Sequence, residues 1–411
     1  MLTIKRNAVA SFIAILVALT GTSALAHHHG HDRGTTVLAP DKIEWGLSLF
    51  NGPDGTVYLL GLDGRLVNQW GTLDDQILWA KPIFDDRGDI LALTGVVNVP
   101  GYGIPLPHSM VQFDVDGNRF FEWSNFELSR AEFAALHHDM VRLPNGNTLI
   151  ICLAIVEAPN VVSSDDRILD DCLIEVDWAG NIVWEWYTFE HFDEFGFTDE
   201  AKQMISDFAG DWAHANSVSI IPDNDHNDPR FTPGNIMVSY RQLNTIVVID
   251  RQTGEIVWNL GPNDSKTIGQ HHAHMIEQGR PGAGNIIAFD NGLSAGFPPV
   301  SRPFSQVLEI NPITREVAWR YNGAYSGFQV WDFFSAIISG AQRLENGNTM
   351  ITEGTKGRLI EVTPDGELVW EYYNPFYDTS TGPSGREVKN YSIFRAYRMP
   401  LFWGWPSTPL E

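Results

Sequence analysis

The sequence predicts an all-β protein that forms one six-bladed β-propeller, and three observations lead to this prediction. A hairpin phrase with a Trp in its second strand recurs roughly every 50 to 75 residues. No amphipathic helical pattern of comparable strength lies between the copies. The first copy lacks one strand, and a strand-like segment near the end of the chain could supply it. Sheets that recur at this spacing are typical of propeller blades.

Each copy consists of a short apolar strand, a turn and a second strand. The first and last copies are VYLLGLDGRLVNQW and LIEVTPDGELVW. In both, apolar and polar residues alternate along the strands, and the turn between the strands suits left-handed backbone geometry. A second hairpin precedes most copies, as in MVRLPNGNTLIICL at 140–153, so each repeat supplies a four-stranded sheet. The copies are marked by Trp70, Trp123, Trp184, Trp258, Trp319 and Trp370.

The first copy supplies only three strands. The segment YSIFRAYRM at 391–399 is therefore predicted to add the missing inner strand to the N-terminal blade. This pairing would close the ring and leave no sheet edge exposed between the first and last blades.

The domain organisation follows from the N-terminus. Residues 1–26 are predicted to be a signal peptide, because Lys5 and Arg6 precede an apolar run and a small-residue cleavage site. Residues 27–40 are expected to be a His-rich flexible tail, and 41–411 a single propeller domain. No Cys follows the apolar run, so no lipid anchor is predicted and the protein is expected to be periplasmic or secreted.

The net charge limits the classes of partner, and the two cysteines bear on disulfide formation in the expected compartment. The formal net charge of −24 argues against nucleic acid and anionic membranes as partners. Cys152 and Cys172 are the two cysteines, and in an oxidising compartment they are expected to form a disulfide. The sequence indicates no oligomeric state.

Histidines recur at one position of the repeat. The phrases LHHDM at 136–140, WAHAN at 212–216 and QHHAH at 270–274 each precede a predicted inner strand. A single histidine is more often a hydrogen-bonded structural residue. Three at equivalent positions converge on one funnel, so we predict a site there.

These residue types fit an anionic tetrahedral group. A guanidinium such as that of Arg241 can bridge two oxygens, imidazole and amide groups can donate to others, and a neutral imidazole can attack. Two alternatives remain. Imidazole clusters also bind zinc, which would indicate a metal-dependent hydrolase, and a propeller can be a non-catalytic extracellular module that binds small anionic or glycan ligands.

Several phrases together resemble the arylsulfotransferase family, also called aryl-sulfate sulfotransferases. The matching phrases occur in the order of that family and span most of the predicted propeller. They are His137-His138-Asp139 before LPNGN, His214-Ala215-Asn216, Ser239-Tyr240-Arg241, and Gln270-His271 followed by Phe289-Asp290-Asn291-Gly292.

The resemblance implies an enzyme that moves a sulfuryl group from a phenolic sulfate ester to a phenolic acceptor, without nucleotide sulfate, cofactor or metal, through a sulfated histidine. On the matching positions His271 would be the nucleophile. Arg241, His214 and Asn216 would hold the sulfonate oxygens, and His138 would assist the phenol oxygen.

Two assignments stay open. His272 is an alternative to His271, because strand alternation would place His272 and His274 on one face and His271 on the other. His137 is likewise an alternative to His138.

Overall fold

The computed structural model describes residues 33–71, 77–83, 88–124, 126–162, 167–208, 210–261, 266–381 and 385–401. The predicted signal peptide and the histidines at 27–31 lie outside the described residues.

β-Strand is the main secondary structure of the described chain. The first strands are β1 Gly34–Leu38, β2 Leu47–Asn51, β3 Val57–Leu60, β4 Leu66–Trp70, β5 Trp79–Pro82, β6 Ile90–Thr94, β7 Val97–Asn98, β8 Pro105–Leu106, β9 Ser109–Phe113 and β10 Arg119–Ser124. The middle strands are β11 Phe133–Arg142, β12 Thr148–Glu157, β13 Arg167–Val176, β14 Ile182–Tyr187, β15 Ala215–Ile220, β16 Ile236–Tyr240, β17 Thr245–Ile249, β18 Ile256–Leu260, β19 His271–Met275 and β20 Ile286–Asp290. The last strands are β21 Gln306–Ile310, β22 Val317–Tyr321, β23 Gly340–Arg343, β24 Thr349–Glu353, β25 Arg358–Val362, β26 Leu368–Tyr373, β27 Asp378–Thr381, β28 Glu387–Asn390 and β29 Ala396–Met399.

Helices are few and short. The α-helix α1 spans Asp199–Phe208, and the 3-10 helices span Thr188–Phe195, Pro229–Phe231, Gly323–Ser326, Val330–Asp332 and Gly354–Lys356. Among the described residues, no helix has the length and apolar character needed to cross a membrane.

Six antiparallel sheets form a ring, which confirms the predicted six-bladed propeller. From the inside outwards the blades are β29-β2-β3-β4, β5-β6-β9-β10, β11-β12-β13-β14, β15-β16-β17-β18, β19-β20-β21-β22 and β23-β24-β25-β26. Neighbouring inner strands contact one another around the central channel. Apolar side chains of each blade pack against those of the neighbouring blades. The core therefore consists of apolar layers that lie between the blades around the ring.

The C-terminal strand closes the ring as predicted. β29 pairs antiparallel with β2, with Met399 opposite Leu47 and Ala396 opposite Phe50. The first blade is therefore built from both ends of the chain.

Part of the segment expected to be a flexible tail is instead a strand. β1 pairs with β26 and forms a fifth, outer strand of the last blade. The hydroxyl of Thr36 donates to Glu371 at 2.6 Å, and that of Thr35 donates to the carbonyl of Leu62 in the first blade at 2.9 Å. The β-branched residues of GTTVL favour this extended conformation once β26 offers an edge.

The repeated tryptophans join each blade to the next. Each indole N–H donates to a carbonyl in a turn of the following blade, at 2.7 to 3.0 Å, and Trp370 completes the ring by bonding Leu62. In the third blade the donor is Trp186. The predicted marker Trp184 instead lies under the guanidinium of Arg251, 4.6 Å from its ring centre.

The expected disulfide is not formed. Cys152 and Cys172 lie directly opposite each other on β12 and β13, and both are buried free thiols. They pack among apolar residues of the third blade, and burial raises the pKa of the Cys172 thiol well above its ordinary value.

The two faces of the ring differ. Short turns such as 177–181 and 363–367 join strands on one face. The connections that lead into the inner strands lie on the other face, and they include 188–214, which carries α1, and 322–339. The histidine phrases at 212–216 and 270–274 fall where such connections enter β15 and β19, whereas the phrase at 136–140, predicted to precede a strand, lies within β11.

Candidate active site

The inner strands β11, β15 and β19 share a distortion where the histidines lie. His138, His214 and His272 all have positive φ angles, at 58°, 55° and 52°. The pairing register of all three strands shifts at or beside these residues. A non-Gly residue in this conformation costs about 1–3 kcal/mol, and such strain is concentrated at functional sites. Bulges of this kind re-aim side chains, here toward the channel.

The distortion brings histidines of different blades together. The ring of His138 lies 4.9 Å from that of His214 and is stacked on Trp79 at 4.9 Å. Burial lowers the pKa of His138 well below its ordinary value, and the nearby charges of His137, His214 and His271 lower it further. The surroundings of His138 thus favour its neutral ring.

His271 is held in one tautomer. Its Nδ1 lies 2.8 Å from the side-chain oxygen of Asn291 and 3.1 Å from the carbonyl of Gly269. Both partners only accept, so Nδ1 carries the proton and Nε2 holds the lone pair. Nε2 accepts from the backbone N–H of Ile338 at 3.2 Å. Burial, and after it the charge of Arg241, lowers the pKa of His271 well below its ordinary value, so the ring is neutral.

Asn291 is a site residue to which the sequence assigned no role. Its side-chain nitrogen donates to the carbonyls of Ser335 and Ile338, at 2.8 and 2.9 Å, so the amide links β20 to the connection before β23. The phrase Phe289-Asp290-Asn291-Gly292 belonged to the family resemblance, and a polar residue directly after a buried strand was a second indication.

Arg241 is a buried cation that forms no ion pair with any residue the structure describes. It is 6% exposed, its Nη1 lies 3.4 Å from the side-chain oxygen of Gln242, and its Nε has no partner. The other buried arginines of the described chain each have a carboxylate within ion-pair distance; they are Arg343, Arg358, Arg395 and Arg398. Burial lowers the pKa of Arg241, and the carboxylate of Asp211 opposes this shift. A buried charge of this kind is costly unless an anion completes it.

His214 is oriented by Asp211, which the sequence analysis missed. Nδ1 of His214 lies 2.5 Å from Oδ2 of Asp211. Burial alone would raise the pKa of Asp211, but His214, His137 and Arg241 together hold it below its ordinary value. The carboxylate occupies Nδ1, so Nε2 of His214 is the nitrogen available to a ligand.

Two residues predicted to bind substrate, Asn216 and His137, contact other groups of the protein. Asn216 is fully buried, and its side-chain nitrogen donates to the carbonyl of Gln270 at 2.7 Å, directly before His271. Nε2 of His137 lies 2.9 Å from Oδ1 of Asp171, and its Nδ1 lies 2.5 Å from Nδ1 of His138.

His272 points to a different part of the channel from His271. Its ring lies 4.5 Å from that of His274 and 5.9 Å from that of Tyr397. It also packs on Gly340, where an added Cβ would lie 2.6 Å from the His272 ring nitrogen. The structure thus brings His138, His214, Arg241 and His271 together and places His272 apart.

The closing segment of the chain also reaches the site. A small cavity beside His138 is lined by Trp79, Phe394 and Arg395, among others. Arg395 donates to Asp139 at 2.8 Å, so the residues before β29 are fixed to β11. Within the described residues, no group of three or more His, Cys, Asp and Glu side chains is arranged to hold a metal ion.

The fold and the site define a class of protein. It is a six-bladed propeller whose funnel presents neutral imidazoles and a guanidinium that needs an anion. The family described as Arylsulfotransferase (ASST) matches residues 91–375, which include the positions of His138, His214, Arg241 and His271. The chain belongs to the arylsulfotransferase family, as its motifs predicted, and its activity is of the arylsulfotransferase type on phenolic substrates.

The solved structures that match the chain are distant from it in sequence. A protein of unknown function from Bacteroides caccae is 11% identical, with a TM-score of 0.48, and the match covers 86% of this chain and 98% of that one. A streptogramin B lyase is 12% identical, with a TM-score of 0.40 and coverage of 87% and 95%. Virginiamycin B lyase from Staphylococcus aureus is 10% identical, with a TM-score of 0.38 and coverage of 84% and 89%. A comparison with curated proteins found no match.

Proposed function

We propose that this protein transfers a sulfuryl group from a phenolic sulfate ester to a phenolic acceptor through a sulfated His271. The observation that carries the proposal is a buried guanidinium without an ion pair among the described residues, Arg241, whose charge acts on a neutral imidazole, His271. A sulfonate group would supply the missing anion and place its sulfur beside a nucleophile.

Donor binding would use Arg241 and His214. The planar guanidinium can donate to two sulfonate oxygens at once. Nε2 of His214 faces the third, and it can donate to that oxygen only as an imidazolium, since Nδ1 already donates to the Asp211 carboxylate. The aromatic rings of Trp79 and Phe394, which line the cavity beside His138, suit a phenolic ring.

Attack would come from Nε2 of His271, whose lone pair is fixed by the proton on Nδ1. As the N–S bond forms, the backbone N–H of Ile338 loses its acceptor on Nε2 and becomes available to a sulfonyl oxygen. Asn216 would act by holding the carbonyl of Gln270, and with it the start of β19.

His138 would move the phenolic proton. A phenol has a pKa of about 10, so a phenolate is a poor leaving group without a proton donor. His138 would give a proton to the departing oxygen in the first half-reaction and take one from the acceptor in the second.

We also propose that residues 1–26 direct export to the periplasm or outside the cell.

The test is incubation of purified protein with p-nitrophenyl sulfate, with and without phenol. We expect nitrophenolate release to depend on phenol and phenyl sulfate to accumulate with equal stoichiometry. His271→Asn should abolish both, whereas His226→Asn should leave them unchanged, because His226 lies in the β15–β16 connection on the opposite face.

Two outcomes would contradict the proposal. Release of nitrophenolate and free sulfate that is lost on chelation and restored by zinc would indicate a metal-dependent hydrolase. Binding of aryl sulfates without turnover would indicate a non-catalytic propeller.

A further inference from the structure

A chain of close polar contacts runs from a buried carboxylate to the proposed proton-transfer residue. Oδ1 of Asp171 lies 2.9 Å from Nε2 of His137, and Nδ1 of His137 lies 2.5 Å from Nδ1 of His138. We propose that Asp171 and His137 are positioning residues that fix the tautomer of His138 and balance its charge while it moves the phenolic proton. This inference rests on the proposed function.

The direction of the hydrogen bonds follows from their first member. Asp171 is buried, its Oδ2 accepts from the N–H of Ala215 at 2.8 Å, and its Oδ1 lies 2.9 Å from Nε2 of His137, where a carboxylate oxygen favours a protonated nitrogen. His137 must then carry its proton on Nε2 and hold a lone pair on Nδ1. That lone pair accepts the Nδ1 proton of His138, which leaves the lone pair of His138 on Nε2.

The same chain compensates for charge. When Nε2 of His138 takes a proton, the ring becomes a buried imidazolium close to Arg395, which also lowers its pKa in the resting state. The Asp171 carboxylate lies two contacts away from His138, through His137. Its negative charge compensates for the positive charge that His138 gains. Burial raises the pKa of Asp171, against the opposing effect of His137, which makes the carboxylate a strong acceptor.

The proton then cycles between acceptor and donor. His138 enters the first half-reaction as an imidazolium, because the acceptor of the preceding turnover leaves its proton on Nε2; in the first turnover this proton comes from water. In the first half-reaction the S–O bond of the donor breaks, its electron pair leaves with the phenol oxygen, the N–S bond forms at His271, and the Nε2 proton of His138 passes to that oxygen, which leaves the His138 ring neutral with its lone pair on Nε2. In the second, the acceptor gives its O–H proton to Nε2 of His138 as its oxygen attacks sulfur. The N–S bond breaks and returns its electron pair to His271.

The neighbouring residue supplies a matched control. Asp170 is equally buried, but it accepts from the indole of Trp212 at 3.2 Å and from the N–H of Phe189 at 3.3 Å. It contacts no histidine of the relay. Asp170→Asn and Asp171→Asn therefore make the same chemical change at adjacent positions of β13, and only the second alters the relay.

The experiment compares two donors at a saturating acceptor concentration. p-Nitrophenyl sulfate has a good leaving group that needs little protonation, whereas phenyl sulfate depends on a proton donor. Asp171→Asn should slow transfer from phenyl sulfate by about 100-fold and from p-nitrophenyl sulfate by less than about threefold. His137→Gln should show the same selectivity, because its amide cannot relay charge to Asp171. Asp170→Asn should leave the ratio of the two rates at the wild-type value.

An unchanged ratio in Asp171→Asn would overturn the relay, and if that variant does not fold, the ratio in His137→Gln decides. The proposed function has a separate check. Wild-type protein quenched with donor alone should carry sulfate on the peptide that contains His271. A missing label would overturn the proposed function itself, whereas a label with an unchanged ratio would overturn only the relay.

Discussion

The side-chain oxygen of Asn291 lies 2.8 Å from Nδ1 of His271, and this contact decides which ring nitrogen can react. The proton stays on Nδ1 because Asn291 offers it an acceptor, so the lone pair remains on Nε2. The residue that directly follows β20 thereby fixes the tautomer of the residue at the start of β19.

We predict that Asn291→Ala lowers kcat by about 10- to 100-fold, because His271 loses its fixed tautomer and orientation. The variant should also lose about 1–3 kcal/mol of stability, since two buried carbonyls lose their donor. Asn374→Ala is the control, because Asn374 is fully buried and bonds Tyr391 away from the site. Equal losses of kcat in both variants, measured per folded molecule, would contradict this role.

Arg241→Met should inactivate the enzyme and raise its thermal midpoint by several degrees. The substitution removes a buried charge that has no ion pair, and a thioether of similar length fills the space. Inorganic sulfate should stabilise the wild-type protein in thermal melts and leave the variant unaffected. A lower midpoint for the variant without ligand would show that the guanidinium has a structural partner.

The acid stability of the fold should depend on His274. Burial lowers its pKa to about 4, from an ordinary value of about 6.5. The unfolded chain therefore binds more protons than the folded one between these values, so this contribution is complete above about pH 6.5 and is lost as the pH falls toward 4. His274→Gln should flatten the decline of the thermal midpoint between pH 7 and pH 5. Parallel curves for the two proteins would contradict the assignment.

We expect closure of the ring by β29 to contribute more to folding than the outer strand β1 does. A chain that ends before β29 leaves the first blade without its inner strand, and we expect it to aggregate or fail to fold. Removal of residues 27–38 deletes β1 but leaves four strands in the last blade, so the protein should fold with a lower thermal midpoint and retain transfer activity. Scanning fluorimetry and the aryl sulfate assay measure both outcomes. A folded product of the C-terminal truncation would contradict the importance of closure.

Much of the fold was predictable because the hairpin repeat is local. The six blades and the role of the C-terminal strand follow from turns, alternation and Trp spacing. β1 was not predictable, because five residues of GTTVL become a strand only when β26 offers an edge. In the third blade the sequence offers both Trp184 and Trp186, and only the packing of the blades distinguishes them.

The site was predictable in part. Histidines at one repeat position indicate a shared funnel, and the structure places His138, His214 and His271 there. Asp171 and Asn291 were not predictable as partners, because they come from other strands and reach the histidines only through the bulges. Asp170 and Asp171 in the apolar strand RILDDCLIEV were an overlooked indication, since buried charges require partners.

The position of β29 bears on when the protein can acquire its structure during synthesis. The first blade lacks its inner strand until Ala396–Met399 has been made, and Arg395 and Phe394 reach the site from the same segment. A growing chain therefore emerges from the ribosome with its N-terminal blade unfinished. Until Ala396–Met399 has been made, the polypeptide exposes an incomplete sheet that chaperones can bind, and the site lacks Phe394 and Arg395.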